Sequence, residues 1–473
     1  MLALIMKKNI LIASIFLCCS FCLTTTLSFG GERGLTPNGI KNHTERTSAD
    51  GVFNIPQSGI PLITNIFGPS HQVCAGINIH FVTGHEKDLD MIAAAGFKFI
   101  RMDFGWQSIE REKGTYNWAT YDELTANLEK RGLRAIYILD YSNSLYEEPS
   151  DAKNPITGKV QKSSASPQHP ESIAAFARWA AAASGHFKGS NIIWEIWNEP
   201  NITFWKPKPD IAQYTALAMA TCKAIKAVAP NATIIGPASS GLPWPFLESF
   251  LASGVLEYLD AVSIHPYRNY SKSPETADAD YQKLRLLIDR YAPAGKKDMS
   301  IISSEWGYST ATKGVSLEKQ AAYIVRMQLT NLLSGIPISI WYDWKNDGEN
   351  SAENEHNFGT VSSDLKPKPA YTAIKTMNME LNGFTFTRRI DLKNEHDYVL
   401  LFRNDKGKYK ISAWTMDPAH SVTIENNIPK VTKATAIDGN GNVLKLNTEQ
   451  GKLVIDLNAL PQYINLRHGI RIN

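Results

Sequence analysis

The stretch Trp194-Glu195-Ile196-Trp197-Asn198-Glu199-Pro200-Asn201 decides how the chain is read. Preceded by Asn191-Ile192-Ile193, it opens as a buried strand and ends on an acid between an amide and a proline, as a strand does when its last residues face a pocket. By itself this pattern also fits an ordinary acid at a strand-to-loop turn. Two glutamates compete within it. On an extended strand Glu195 and Glu199 share a face, with Glu195 about 13 Å deeper. That spacing makes Glu195 structural and puts Glu199 at the rim.

Outward from this stretch, strands and amphipathic helices alternate. Strands are predicted at 74–81, 97–104, 134–141, 191–197, 233–237, 259–265, 299–305 and 338–344. Helices are predicted at 86–95, 121–131, 171–187, 211–228, 246–252, 278–291, 317–333 and 370–381. Eight strict βα units imply a parallel sheet closed into an α/β (β/α)8 TIM barrel. After residue 382 the period shortens to two. Short strands at 398–402, 409–414, 422–424, 431–437, 443–446 and 453–457, separated by Gly, Asn, Asp and Pro turns, predict a C-terminal antiparallel β-sandwich. A strand at 52–63 is a candidate addition to it.

The expected organisation is a signal peptide at 1–30, a polar flexible leader at 31–58, a catalytic barrel at 59–381 and an accessory sandwich at 382–473. Lys7 and Lys8 precede an uncharged run, and Ser28-Phe29-Gly30 places small residues where a signal peptidase reads. Export to the periplasm or the exterior is expected; an uncleaved N-terminal anchor is the alternative, because the run is nearly long enough to span a bilayer. Three of the five cysteines lie in that run, leaving Cys74 and Cys222 without zinc or redox spacing. A formal charge of +3, with scattered Lys and Arg, argues against a nucleic-acid partner. A monomer is expected.

Chemistry in such a barrel gathers at the C-terminal strand ends. Read in order, these carry Arg101 and Asp103, Asp140 and Tyr141, Asn198 and Glu199, His265 and Tyr267, Glu305 and Trp306, then Trp341, Asp343 and Trp344. Paired carboxyls are what glycoside hydrolysis uses: one donates a proton to the leaving oxygen and the other attacks the anomeric carbon. Trp106, Tyr141, Trp205, Tyr308, Trp341 and Trp344 lie on or just after the strands, where flat rings stack on sugars, and Trp344 and Trp106 are the first candidates.

Trp197-Asn198-Glu199-Pro200, Ser263-Ile264-His265-Pro266-Tyr267 and Ser304-Glu305-Trp306-Gly307 resemble the signature segments of the retaining barrel glycoside hydrolases of clan A. Within that clan, Trp194 to Asn201, the 138–143 strand end and Trp344-Lys345-Asn346-Asp347-Gly348 are similar to family 39, in particular to its bacterial exopolysaccharide endoglycosidases; family 5 is the neighbour. The resemblance implies Glu199 as general acid/base and Glu305 as nucleophile, with Asn198 on the sugar 2-hydroxyl. Arg101 and Tyr267 hold the nucleophile, and His265 stands beside the acid/base. For Arg101 a structural ion pair with Glu195 is the equal alternative. The implied activity is endo-hydrolysis of a β-linked polysaccharide, without cofactor or metal.

An exo-acting β-xylosidase-like or β-glucosidase-like enzyme stays open, since loop lengths decide whether the cleft is blocked. An inactive carbohydrate-binding protein needs neither glutamate. A metal-dependent hydrolase is disfavoured because Asn78-Ile79-His80 offers one histidine where the first strand of such enzymes carries two.

Overall fold

The computed structural model describes residues 71–154, 158–424, 433–449 and 452–467. Eight parallel strands close a barrel: Ala75–Asn78, Phe99–Gly105, Arg134–Asp140, Ile193–Ile196, Thr233–Ser240, Ala261–His265, Ser300–Trp306 and Ser339–Trp341. Closure is made by the first strand pairing with the eighth, Ala75 opposite Ser339. Each predicted unit is present. Three helices, Ile211–Val228, Asp278–Tyr291 and Leu317–Leu333, have the bounds their periodicity gives. Two of these start at side-chain caps: Asp210 accepts from the Ala212 and Gln213 amides, and Ser316 from that of Lys319.

The barrel is a packed core, not a pore. One layer is filled by Cys74, Phe99, Ile136, Ile193, Ile235, Ala261, Ile302, Ile338 and Ile340. Gly76 is required here, because a Cβ would stand 2.2 Å from the Ile340 Cδ1 atom. Outward-facing residues form the second layer, between strands and helices.

After the last barrel helix, Pro369–Leu381, the chain forms two antiparallel sheets. The six-stranded sheet runs in the order Phe384–Arg389, Asp397–Asn404, Tyr409–Thr415, Gln462–Arg467, Lys433–Ile437, Val443–Leu444. The other has His420–Ile424, Lys452–Leu457 and Asn447–Glu449. Alternation sorts the larger sheet's two faces. Val399, Leu401, Ile411, Ala413 and Ile464 meet Ile424, Leu453, Ile455 and Leu457 inside the sandwich. Leu400, Phe402, Trp414 and Tyr463 face the other way and belong to the barrel's core. The sheet thus braces the barrel.

Strands Phe384–Arg389, Asn447–Glu449 and Gln462–Arg467, and the hairpin Pro149–Lys153/Val160–Ser164, are additional to the sequence reading. The signal, the leader and the strand at 52–63 lie outside the described residues. Among those described, no helix is long and apolar enough to cross a membrane.

Candidate active site

The fourth strand stops at Ile196, so Glu199 does not reach the mouth by strand parity, as the sequence reading supposes. Trp197 and Glu199 instead take left-handed backbone angles, φ of 66° and 49°, and the Glu199 amide donates to the Ala238 carbonyl at 3.0 Å. These are uncommon conformations for residues with a Cβ, of the kind that gathers at ligand sites. Glu305 departs from parity too. Ile302 lies in the interior layer, yet Glu305, three positions on, also points inward. An irregularity in the pairing with the eighth strand, where Ser339 faces Ser303 but Trp341 faces Trp306, supplies the extra residue.

Arg101 joins everything below these two acids. It is 1% exposed and all five of its N–H groups have acceptors. Nε donates to Glu195 at 2.6 Å, and Nη1 to Asn78 at 3.1 Å and Glu305 at 2.6 Å. Nη2 donates to Asn198 at 2.9 Å and His265 at 3.2 Å. Arg101 therefore pairs with Glu195 and with Glu305 at once. Glu195, expected well below the site, shares one guanidinium with Glu305.

This arrangement fixes protons. Guanidinium only donates, so His265 Nε2 is an acceptor, and the ring's proton sits on Nδ1, 2.9 Å from Glu199 Oε1. Burial, then the Arg101 charge, holds His265 well below its ordinary pKa, so the ring is neutral. Burial raises Glu199 well above the usual carboxylate range, and the charge of Glu305 adds to this. Burial raises Glu305 as well, but Arg101 and the Tyr267 hydroxyl, donating at 2.9 Å, oppose it. A Glu199 oxygen and a Glu305 oxygen lie within 4.8 Å of each other. One proton held on Glu199 and one charge on Glu305 is the arrangement this chemistry favours.

Asn198 is locked from both ends, its oxygen on Arg101 and its Nδ2 donating to the Tyr141 hydroxyl at 3.0 Å. Tyr141 stacks on Phe204 with ring centroids 5.8 Å apart. The structure thus brings together Arg101, Tyr141, Asn198, Glu199, His265, Tyr267 and Glu305.

The tryptophans chosen as sugar platforms are a correction. Trp344 is 1% exposed, its indole N–H bonded to Asp88. Trp106 is packed between Tyr146 and Trp179 with its N–H on Glu110. Trp205 lies against Trp197 and Tyr214 with its N–H on Gln213. Trp341 and Tyr308 are likewise buried, against each other. Nearness to a strand end does not say which face a ring takes; these five take the layer between strands and helices. The sequence reading gave no role to Asn78, His80 or Glu355. Glu355 accepts from the Tyr342 hydroxyl at 3.0 Å, and no periodic signal marks its loop.

Among the described residues two clusters hold three possible metal ligands each, Glu199–His265–Glu305 and His80–Asp343–Asp347. In the first the histidine nitrogen facing the acids carries the proton. In the second, Asn78 gives its oxygen to Arg101 and so turns its Nδ2 to His80 Nε2, at 3.1 Å, which leaves the proton on the nitrogen facing the aspartates. Neither donor set fits a cation.

Eight parallel strands with two buried glutamates at strand ends define a barrel glycosidase of clan A. Residues 63–348 match the cellulase family (glycosyl hydrolase family 5), and the chain belongs to it. The family 39 likeness has support in a solved family 39 glycoside hydrolase from the gut symbiont Bacteroides cellulosilyticus WH2. It is 27% identical, with a TM-score of 0.71 over 84% of this chain and 81% of that one. A β-xylosidase of Geobacillus stearothermophilus is 33% identical over 28% of this chain, and one of Caldicellulosiruptor saccharolyticus is 25% identical over 44% of it. The matches span 30% and 47% of those two curated relatives.

Proposed function

We propose that the protein hydrolyses a β-linked glycan with retention, Glu305 as nucleophile and Glu199 as general acid/base. The observation that carries this is the separation of the two carboxyls. One oxygen of each lies within 4.8 Å of the other, which favours the about 5 to 5.5 Å spacing of direct attack over the about 6.5 to 9.5 Å spacing of inverting enzymes. Glu305 attacks C1 as Glu199 passes its proton to the departing oxygen. A glycosyl ester forms on Glu305. Glu199, now ionised, takes a proton from water, whose oxygen attacks C1 and frees Glu305. His265 donates to Glu199 throughout, and Asn198 is positioned for the sugar 2-hydroxyl.

Endo action on a polysaccharide is the mode we favour. An open polar pocket of about 340 Å³, lined by Asn346, Asn357, Lys366 and Lys368 from the segment after the eighth strand, has the volume for a further sugar. An exo-acting β-xylosidase-like mode is the second reading, favoured by the two relatives that carry that name. Action outside the cytoplasm is proposed from Lys7, Lys8 and the uncharged run after them.

Glu199→Ala tests the scheme. On an aryl glycoside with a good leaving group, turnover is expected to fall at deglycosylation and to return with azide, giving a glycosyl azide of retained configuration. Full activity without azide would overturn the assignment.

A further inference from the structure

The segment after the eighth strand folds back toward the mouth. The Thr360 amide donates to the Asp343 carbonyl at 3.2 Å, and the Lys368 amide to the Thr360 carbonyl at 3.0 Å. Lys368 is thus two backbone hydrogen bonds away from an acid that feels the charge of Glu305. It also lines the open polar pocket of about 340 Å³, together with Asn346, Asn357, Ser362, Ser363 and Lys366.

The two lysines of this lining are unequally matched. Lys366 bonds Asp364 at 2.8 Å, and the charge of the exposed Glu349 acts on it as well. Among the described residues no carboxylate is in ion-pair contact with Lys368. Its ammonium donates to three neutral oxygens, Thr310 Oγ1 at 3.2 Å, Asn346 Oδ1 at 3.3 Å and the Asn357 carbonyl at 3.2 Å. The charge that reaches it is that of Asp343, but burial holds this acid well above the carboxylate range, so at neutral pH it is protonated and compensates little. Burial lowers the Lys368 pKa to about 8, which still leaves the ammonium charged at neutral pH. A lysine drawn out of water is ordinarily paired. The helix Pro369–Leu381 starts beside it without a side-chain cap, and its positive end adds charge of the same sign. Asn346 gives its Oδ1 to Lys368, so the end it has left is a donor.

We propose that this pocket takes a sugar of the bound glycan that carries a fixed anion, a carboxylate as in a uronic acid, and that Lys368 is its counter-ion. A carboxylate is a stronger acceptor than the three neutral oxygens and brings the charge that Lys368 lacks. An anion entering at Lys366 meets Asp364 and Glu349; at Lys368 it meets a carboxyl that is itself neutral. The glycan is then an acidic one, recognised away from the reacting sugar. The inference rests on the reading of the mouth as glycan-cleaving, and its test involves no turnover.

Methyl β-D-glucuronide, methyl β-D-glucoside and sodium acetate are titrated into the isotope-labelled protein at constant ionic strength, and NMR follows the backbone amides of Asn346, Ser362 and Ser363. The two glycosides differ at C6 alone, so their comparison isolates the carboxylate; acetate supplies the carboxylate without the sugar. The glucuronide is expected to shift these signals and to bind about tenfold or more tighter than either the glucoside or acetate. In Lys368→Gln, which keeps N–H donors but not the charge, the two glycosides are expected to bind alike, and in Lys368→Arg the preference is retained. Signals from the sandwich report whether each variant is folded; should the Gln variant not fold, the wild-type protein and the Arg variant decide. A glucoside that binds as tightly as the glucuronide, no shift with either, or an unchanged preference in Lys368→Gln overturns the inference. Acetate binding as tightly as the glucuronide overturns the sugar and leaves an adventitious ion only. None of these outcomes bears on Glu305 or Glu199, which the azide experiment tests.

Discussion

Two buried arginines stand at opposite ends of this molecule's chemistry. Arg326, on a barrel helix, pairs with Glu275 alone: Nε to Oε1 at 2.7 Å and Nη2 to Oε2 at 2.8 Å, with the Trp414 indole from the sandwich closing on Oε1 at 2.9 Å. One charge meets one charge. Although burial opposes it, Arg326 holds Glu275 below its ordinary pKa. Arg101 is divided among Glu195, Glu305, Asn78, Asn198 and His265, with Glu199 a further acid beyond its reach. There the pKa values of both mouth glutamates rise. A matched pair within the barrel gives the sandwich's Trp414 a fixed acceptor; a cation shared among too many acids leaves a proton to be moved.

The largest effect expected is at the overloaded site. Glu305→Gln should lower kcat on an aryl glycoside by about 10⁴-fold or more, with the melting temperature unchanged or raised, since one of two acids crowding Arg101 is neutralised. Next comes Arg101→Met, which should cost about 100-fold or more in kcat/KM and about 3 to 5 kcal/mol of stability in urea unfolding. Arg101 lowers the Glu305 pKa, so without it the acidic limb of the kcat/KM profile moves to higher pH. An unmoved limb would show that the guanidinium does not tune the nucleophile.

Arg326→Met should cost a similar about 3 to 5 kcal/mol by stranding Glu275, while kcat/KM stays within about twofold. The sign of the pH dependence follows from the depressed Glu275 pKa: its contribution is present above the unfolded value of about 4.5 and is lost as pH falls toward the folded one. Glu275→Gln should therefore flatten the melting temperature's fall below about pH 4.5. A proportional loss of activity in Arg326→Met would erase the distinction between the two arginines. The smallest effect is that of Trp344→Phe. Losing the indole bond to Asp88 should cost about 1 to 3 kcal/mol, with KM unchanged, because the ring is core; a rise in KM would make it a sugar platform after all.

The barrel was legible because its units repeat and its helices are long enough for the 3.6 period to accumulate, as in Leu317–Leu333. The two glutamates could be found from their neighbours in sequence. What could not be read depends on faces and on single-residue shifts. The irregularity at Ser303 to Trp306 turns Glu305 inward against simple alternation, and two left-handed residues carry Glu199 where a strand would not. Trp344 and Trp106 sit near strand ends, but their direction is set by Asp88 and Glu110. Strand Gln462–Arg467 is short and split between two cores, Tyr463 with the barrel and Ile464 with the sandwich, so no single apolar stripe marks it. Sharing one guanidinium among residues from four strands and a loop is a tertiary fact with no local signature.

The separation of the two carboxyls is tested most directly by the stereochemistry of hydrolysis. A β-glycan or aryl β-glycoside that the enzyme cleaves is followed by proton NMR in the first minutes, before mutarotation. With Glu305 as nucleophile the β-anomer of the new reducing end appears first and decays to the equilibrium mixture; an α-anomer appearing first would mean inversion and would rule out a glycosyl ester on Glu305.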